Sequence, residues 1–219
     1  MSTEALSAYH GDQAIKDKYI QRMKAHMDAD ELIRGTGFEN GKGCAVGCTL
    51  NKYKHSAFPD ELGVPEWAAH LLDTLHESTS DKVWPTLSMR FLTAITPGAN
   101  LESVRHEINL FILQRSRTRV EGLGISGSLK KEIIPAIDLC LTLHAGALRG
   151  VIDPEEWSAA ESAARSAARS AWSAAESAAK SADSAARSAA WSAESAARSA
   201  EYDAIAEEFI RLLAAKQAA

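Results

Sequence analysis

From Glu155 to Ala219 the chain contains no glycine, proline or asparagine, and this run constrains the fold more than any other feature. Alanine, the best helix former, dominates it, and nothing in it stops a helix. The start is marked: Asp153 can cap, Pro154 takes the first helical position and Glu156 completes a capping box. Inside the run Ser162, Ser166, Ser170, Ser173, Ser177, Ser181, Ser184, Ser188, Ser192, Ser195 and Ser199 step by four, four and three residues. That is an eleven-residue period, which suits a straight or slightly right-handed helix. A charged residue or Trp precedes each of these serines and Ala follows it, so the helix carries a charged stripe, a serine stripe and a broad alanine stripe.

Small side chains let helix backbones approach closely but bury little area each, so stability must come from packing over a long line. A continuous helix of about 60 residues would span roughly 90 Å, against about 35 Å for a 150-residue core. It must project, bend or find a partner, and a homo-oligomer with coiled-coil-like packing is expected. Trp157, Trp172 and Trp191 on the charged stripe would be contact points. The apolar seam of Tyr202, Ile205, Phe209, Leu212 and Leu213 would dock or oligomerise. An ice-binding face is a poorer reading, because the regular row is Ser rather than Thr and charges interrupt it.

Before residue 152 the composition is varied. Ile15, Tyr19, Met23 and Met27 put a helix over 12–31. Glycines 35, 37, 41, 43 and 47 mark 34–58 as loop or broken turn. Helices are then expected from Pro65, over 80–95 with Ser80 as cap, after Asn100, and from Ser128 to about Leu148, where Pro135 should kink the helix or delay its start. No stretch alternates with period two, so little or no sheet is expected. The fold class is all-α: a small multi-helix domain over 1–150, then a long Ala/Ser-rich repeat helix over 151–219.

No apolar run approaches the roughly 20 residues that cross a bilayer, and the N-terminus lacks a basic-then-apolar signal pattern. Three cysteines fit a reducing compartment better than a disulfide framework. The net charge is −5, with 17 Lys and Arg against 18 Asp and Glu up to residue 150 and 7 against 11 after it. Neither part has the positive excess that duplex nucleic acid or an anionic membrane demands. A cytoplasmic location without membrane or duplex nucleic-acid partners is expected.

The segment GKGCAVGCTL is the most specific feature outside the repeat. In one reading Gly43 and Gly47 turn backbone N–H groups toward an anion and Lys42 adds charge, although the spacing is not that of a P-loop. In a second, Cys44 and Cys48 with His55 and His10 hold a metal, although zinc sites usually use tighter cysteine spacing. In a third, small residues simply pack closely with both thiols buried. Tyr53 and His55 could stack on a ring, and Arg105 with His106 sits on a later helix. No Ser/His/Asp set, paired carboxylates or HExxH motif is present, so no catalytic residues are assigned, and no cofactor or metal is expected.

The stretch from YHGDQAIKDKYIQRMKAHMD through GKGCAVGCTLNKYKHSAFPDELGVPEW, with WPTLSMRFLTAI, NLESVRHEI and the Ser-Ala-Ala-x repeat, resembles a family of uncharacterised phage and bacterial proteins. Phe58 and Ala68-Ala69 depart mildly from that pattern. The resemblance implies a phage context, hence host cytosol, and supplies no activity or catalytic residues. Together these readings lead to a non-enzymatic, homo-oligomeric binding protein, a phage anti-defence factor that sequesters a small nucleotide-like signal through His10, Lys42, Gly43, Gly47, Tyr53, His55 and Arg105. The alternatives are a structural or protein-interaction module acting through the repeat helix, and a metal-dependent hydrolase or nuclease built on Cys44, Cys48 and a histidine.

Overall fold

The computed structural model describes residues 6–122, 125–181 and 184–218. Among the described residues the regular structure is helical apart from one short hairpin. A 3-10 turn over Ala8–Gly11 leads into α1 (Gln13–Asp28), β1 (Phe38–Glu39), β2 (Lys42–Gly43), α2 (Ala45–Leu50), a 3-10 turn over His55–Ala57, α3 (Phe58–Leu62), α4 (Glu66–Ser78), α5 (Trp84–Ala94), α6 (Glu102–Gly122), α7 (Gly127–Leu148), α8 (Pro154–Ser181) and α9 (Ser184–Ala214). By its contacts the chain divides into two compact units, Met1–Arg105 with Ala197–Ala219, and His106–Ala196. The second is therefore inserted in sequence into the first. The boundary drawn near residue 151 on composition answers a different question from this division by contacts.

In the first unit Asp12 caps as capping physics requires and the expected Ser80 cap does not form. Asp12 Oδ1 accepts from the Ala14 N–H at 2.7 Å and starts α1. Pro65 is the cap of α4 and Glu66 its first residue. Ser80 does not cap α5, which begins at Trp84 with Pro85 in its first turn. Instead the Val83 N–H donates to Ser80 O at 3.0 Å, and the Ser80 N–H donates to Asp203 Oδ1 at 2.8 Å. The core is aliphatic and aromatic: Tyr19, Met23, Leu72, Leu75, Phe91 and Phe209 are fully buried. The seam expected on the C-terminal segment docks into this core. Phe209 lies 5.7 Å from Phe91 and 6.1 Å from Trp67 between ring centroids, and Arg90 pairs with both oxygens of Glu207 at 2.7 and 2.6 Å.

The segment 34–58 is more ordered than a glycine-rich loop. Its hairpin pairs Phe38 with Gly43 and Glu39 with Lys42. The connection is Asn40-Gly41, both with positive φ (52° and 84°), the pair that a two-residue hairpin turn favours. Asn51, also left-handed, ends α2, and its side chain meets His26 Nε2 at 2.7 Å while His26 Nδ1 meets Glu31 Oε2 at 2.7 Å. That chain of contacts ties α1, the residues before the hairpin and the end of α2 together.

In the second unit α8 packs along α7. Ser126 starts α7 by accepting from the Leu129 N–H at 3.3 Å. The helix then runs through Pro135 without a delayed start. Asp153 Oδ1 accepts from the N–H groups of Glu155 and Glu156 at 2.8 and 3.3 Å, with Pro154 first in α8. Ala160 and Ala167 are buried, whereas Ser162 and Ser166 are exposed, which is the sidedness the repeat spacing implies. An unbroken repeat helix depends on residues 182–183, and the roles of Trp172 and Trp191 on side chains in 170–194; both lie outside the described residues.

Candidate functional site

The first unit holds a cavity of about 250 Å³ lined by Gly35, Thr36, Gly37, Cys44, Tyr53, Asp73 and Glu77. Its shape comes from three glycines stacked in space. A Cβ on Gly47 would fall 1.9 Å from Gly37 O, and one on Gly43 would fall 2.3 Å from the same atom. A Cβ on Gly37 would fall 2.5 Å from the Tyr53 ring. No larger residue fits these approaches. The segment preceding the hairpin is thereby pressed against the start of α2, where the Cys44 N–H donates to Thr36 O at 2.9 Å and Gly37 O at 3.1 Å.

The other wall is α4. Asp73 and Glu77 are i,i+4 and so share one helix face. Asp73 Oδ2 accepts from the Tyr53 hydroxyl at 2.8 Å and meets His55 Nε2 at 3.0 Å. Asp73 Oδ1 is buried and has no hydrogen-bond partner. Both oxygens of Glu77 face the Gly35 N–H, at 3.2 and 3.0 Å. His55 stacks on His70 with centroids 4.2 Å apart and planes within 7°, and Tyr53 meets His55 edge-on at 4.9 Å.

The C-terminal end of α4 is locked to the residues entering the cavity wall. Arg34 donates through Nε to His76 O at 2.7 Å and through Nη2 to Thr79 O, which satisfies carbonyls that a helix end leaves open and places a cation where the helix dipole favours one. Its guanidinium lies 4.9 Å from the centre of the Trp84 ring. His76 is fully buried and meets Ile33 O through Nε2 at 3.0 Å. Burial lowers the His76 pKa, so the neutral ring donates to that carbonyl.

Protonation follows from the same contacts. The hydrogen bond to Asp73, with burial second, pushes the Tyr53 phenol up to about 12. Burial pushes the Cys44 thiol up to about 12, and the neighbouring Asp73 carboxylate adds to the rise against the opposing Gly47 and Val46 N–H groups. Burial also raises Cys48, to about 11, and its thiol points at Gly43 O, 3.3 Å away. Neither cysteine is poised as a thiolate nucleophile.

Of the seven residues singled out in the sequence, Tyr53 lines the cavity and His55 reaches it through Asp73. Gly43 and Gly47 shape it from beneath. Their part is steric, and the Gly43 N–H is already bonded to Glu31 O at 3.0 Å. Lys42 and Arg105 are exposed and do not line the cavity. His10 sits in the first 3-10 turn with Nε2 3.1 Å from Asp60 O. No cluster of three or more His, Cys, Asp and Glu side chains able to hold a metal occurs among the described residues, so Cys44, Cys48, His55 and His10 do not converge. Among the same residues no helix is long and apolar enough to cross a membrane. Sequence reasoning missed Gly35, Thr36, Gly37, Asp73 and Glu77. The like-charged i,i+4 pair on an otherwise amphipathic helix was the available signal.

Comparison with known proteins finds no matching family model, no matching curated protein and no matching solved structure.

Proposed function

We propose that the chain is a non-enzymatic binding protein that takes a small nucleotide-like molecule at the cavity beside Asp73. The observation that carries this reading is Asp73 Oδ1, a buried acceptor without a partner on a residue that lines a cavity. An unsatisfied buried acceptor costs roughly 1–3 kcal/mol, which a ligand donor recovers. The Tyr53 ring, 52% exposed, offers a flat face to a base. Binding rather than catalysis is favoured because the Cys44 thiol stays protonated and His55 bonds to Asp73 instead of to a nucleophile. With the resemblance to phage proteins, the reading extends to sequestration of a host defence signal in the cytoplasm. Calorimetric titration with a panel of nucleosides and nucleotides tests it: saturable heat with at least one is expected, and no heat with any removes the reading.

A second reading concerns the repeat. Ala160 and Ala167, on the alanine stripe of α8, are 2% and 6% exposed, which supports packing as that stripe's role. We propose that the eleven-residue pattern continues as one long helix and assembles copies of the chain. Native mass spectrometry reports subunit count and any retained small molecule together; a monomer at every concentration would dispose of the assembly.

A further inference from the structure

Resting on the binding reading above, we infer that the cavity recognises a planar group with adjacent N–H donors, the edge of guanine or a guanidinium. Two of the lining side chains are carboxyl groups, Asp73 and Glu77, and no Lys, Arg or His lines the cavity. The nearest cation in sequence, Arg34, is occupied by His76 O, Thr79 O and the Trp84 face, with Asp81 3.6 Å away. Two of the donors at hand are already engaged. The Tyr53 hydroxyl donates to Asp73 and the Gly35 N–H to Glu77. Asp73 Oδ2 serves two partners while Oδ1 meets no N–H or O–H donor, the Cys44 thiol beside the carboxylate being a weak one, and Glu77 is exposed with lone pairs to spare beyond the Gly35 contact.

A ligand suited to this wall brings donors, and its phosphate, if it has one, stays outside. Guanine presents N1–H and N2–H₂ side by side. Adenine and cytosine present one amine beside a ring-nitrogen acceptor, and uracil presents one N–H between two carbonyls. An acceptor turned toward Asp73 Oδ1 repels, whereas a donor makes a charge-assisted bond. Asp73 and Glu77 therefore select for adjacent donors, and Tyr53 supplies a ring face that serves guanine and guanidinium alike. A guanidinium shares the donor edge without the bicyclic ring, so the two sources separate by experiment.

The test is calorimetry of the full chain with guanosine, inosine, adenosine and butylguanidinium. Inosine keeps N1–H and lacks the N2 amine. Guanosine should bind roughly 10- to 100-fold tighter than inosine, with adenosine weaker still; tighter binding of butylguanidinium than of guanosine would assign the site to guanidinium within the same class. Asp73→Asn replaces an acceptor by a donor and should abolish binding, and Glu77→Gln should weaken it by roughly tenfold. Thermal melts of both variants check that the fold is kept, and Glu77→Gln carries the test if Asp73→Asn unfolds. Equal affinities for guanosine, inosine and adenosine would overturn the donor-edge inference and leave the binding reading intact. Silence with these probes but saturable binding of another nucleotide would do the same. Silence throughout the nucleotide panel would remove both.

Discussion

The two compact units bury different mixtures of side chains. The first encloses large ones, with Tyr19, Met23, Phe91 and Phe209 fully buried, each worth roughly 1.5–3 kcal/mol against exposure. In the second, Ile108 and Leu143 are buried together with Ala160 and Ala167 of the described part of the repeat, and the alanines offer little apolar area each. Among the described residues the first unit combines a large-residue core with a cavity walled by Asp73 and Glu77, while the repeat of the second contributes small side chains that allow close packing.

The comparison is broken most readily at Phe209. Phe209→Ala removes a ring packed between Phe91 and Trp67 and should cost about 3–5 kcal/mol in denaturant unfolding, while Ala167→Gly in the second unit should cost about 1 kcal/mol. A reversed order would end the contrast. Next comes Gly47→Ala, whose Cβ would meet Gly37 O at 1.9 Å. Moving that backbone should cost about 1–3 kcal/mol and weaken ligand binding, read by unfolding and titration together.

His76 sharpens the contrast through pH. Its folded pKa lies below the ordinary 6.5 because burial disfavours the charged ring. The unfolded chain therefore binds the extra proton first. The stabilisation is present above about pH 6.5 and is lost as pH falls toward the folded pKa. Unfolding measured across that range should show a steeper acid loss in the wild type than in His76→Gln. The smallest effect belongs to the exposed serine stripe, where Ser166→Ala should stay within about 0.5 kcal/mol by thermal melt.

Much of the helical plan is readable because it depends on local signals: Asp12 and Asp153 cap helices through their own side chains, whereas α7 is capped by Ser126 and not begun at the Ser128 the sequence suggested. The hairpin was legible too, in Asn40-Gly41, but five nearby glycines made the whole segment look irregular. For three of them the purpose is a tertiary one. Gly43 and Gly47 are required by Gly37 O, and Gly37 by Tyr53, contacts that no spacing rule reveals. The cavity splits the same way. Tyr53 and His55 stand out as aromatics after a glycine cluster, whereas Asp73 and Glu77 look like an ordinary solvent face of α4 until the segment before the hairpin is laid across them.

Hydrogen exchange of the full chain, with and without saturating guanosine, tests most directly that the first unit carries the binding function. New protection is predicted over residues 33–53 and 70–80, with the repeat over 157–200 unchanged. Protection confined to the repeat, with the cavity residues exchanging as before, would contradict it.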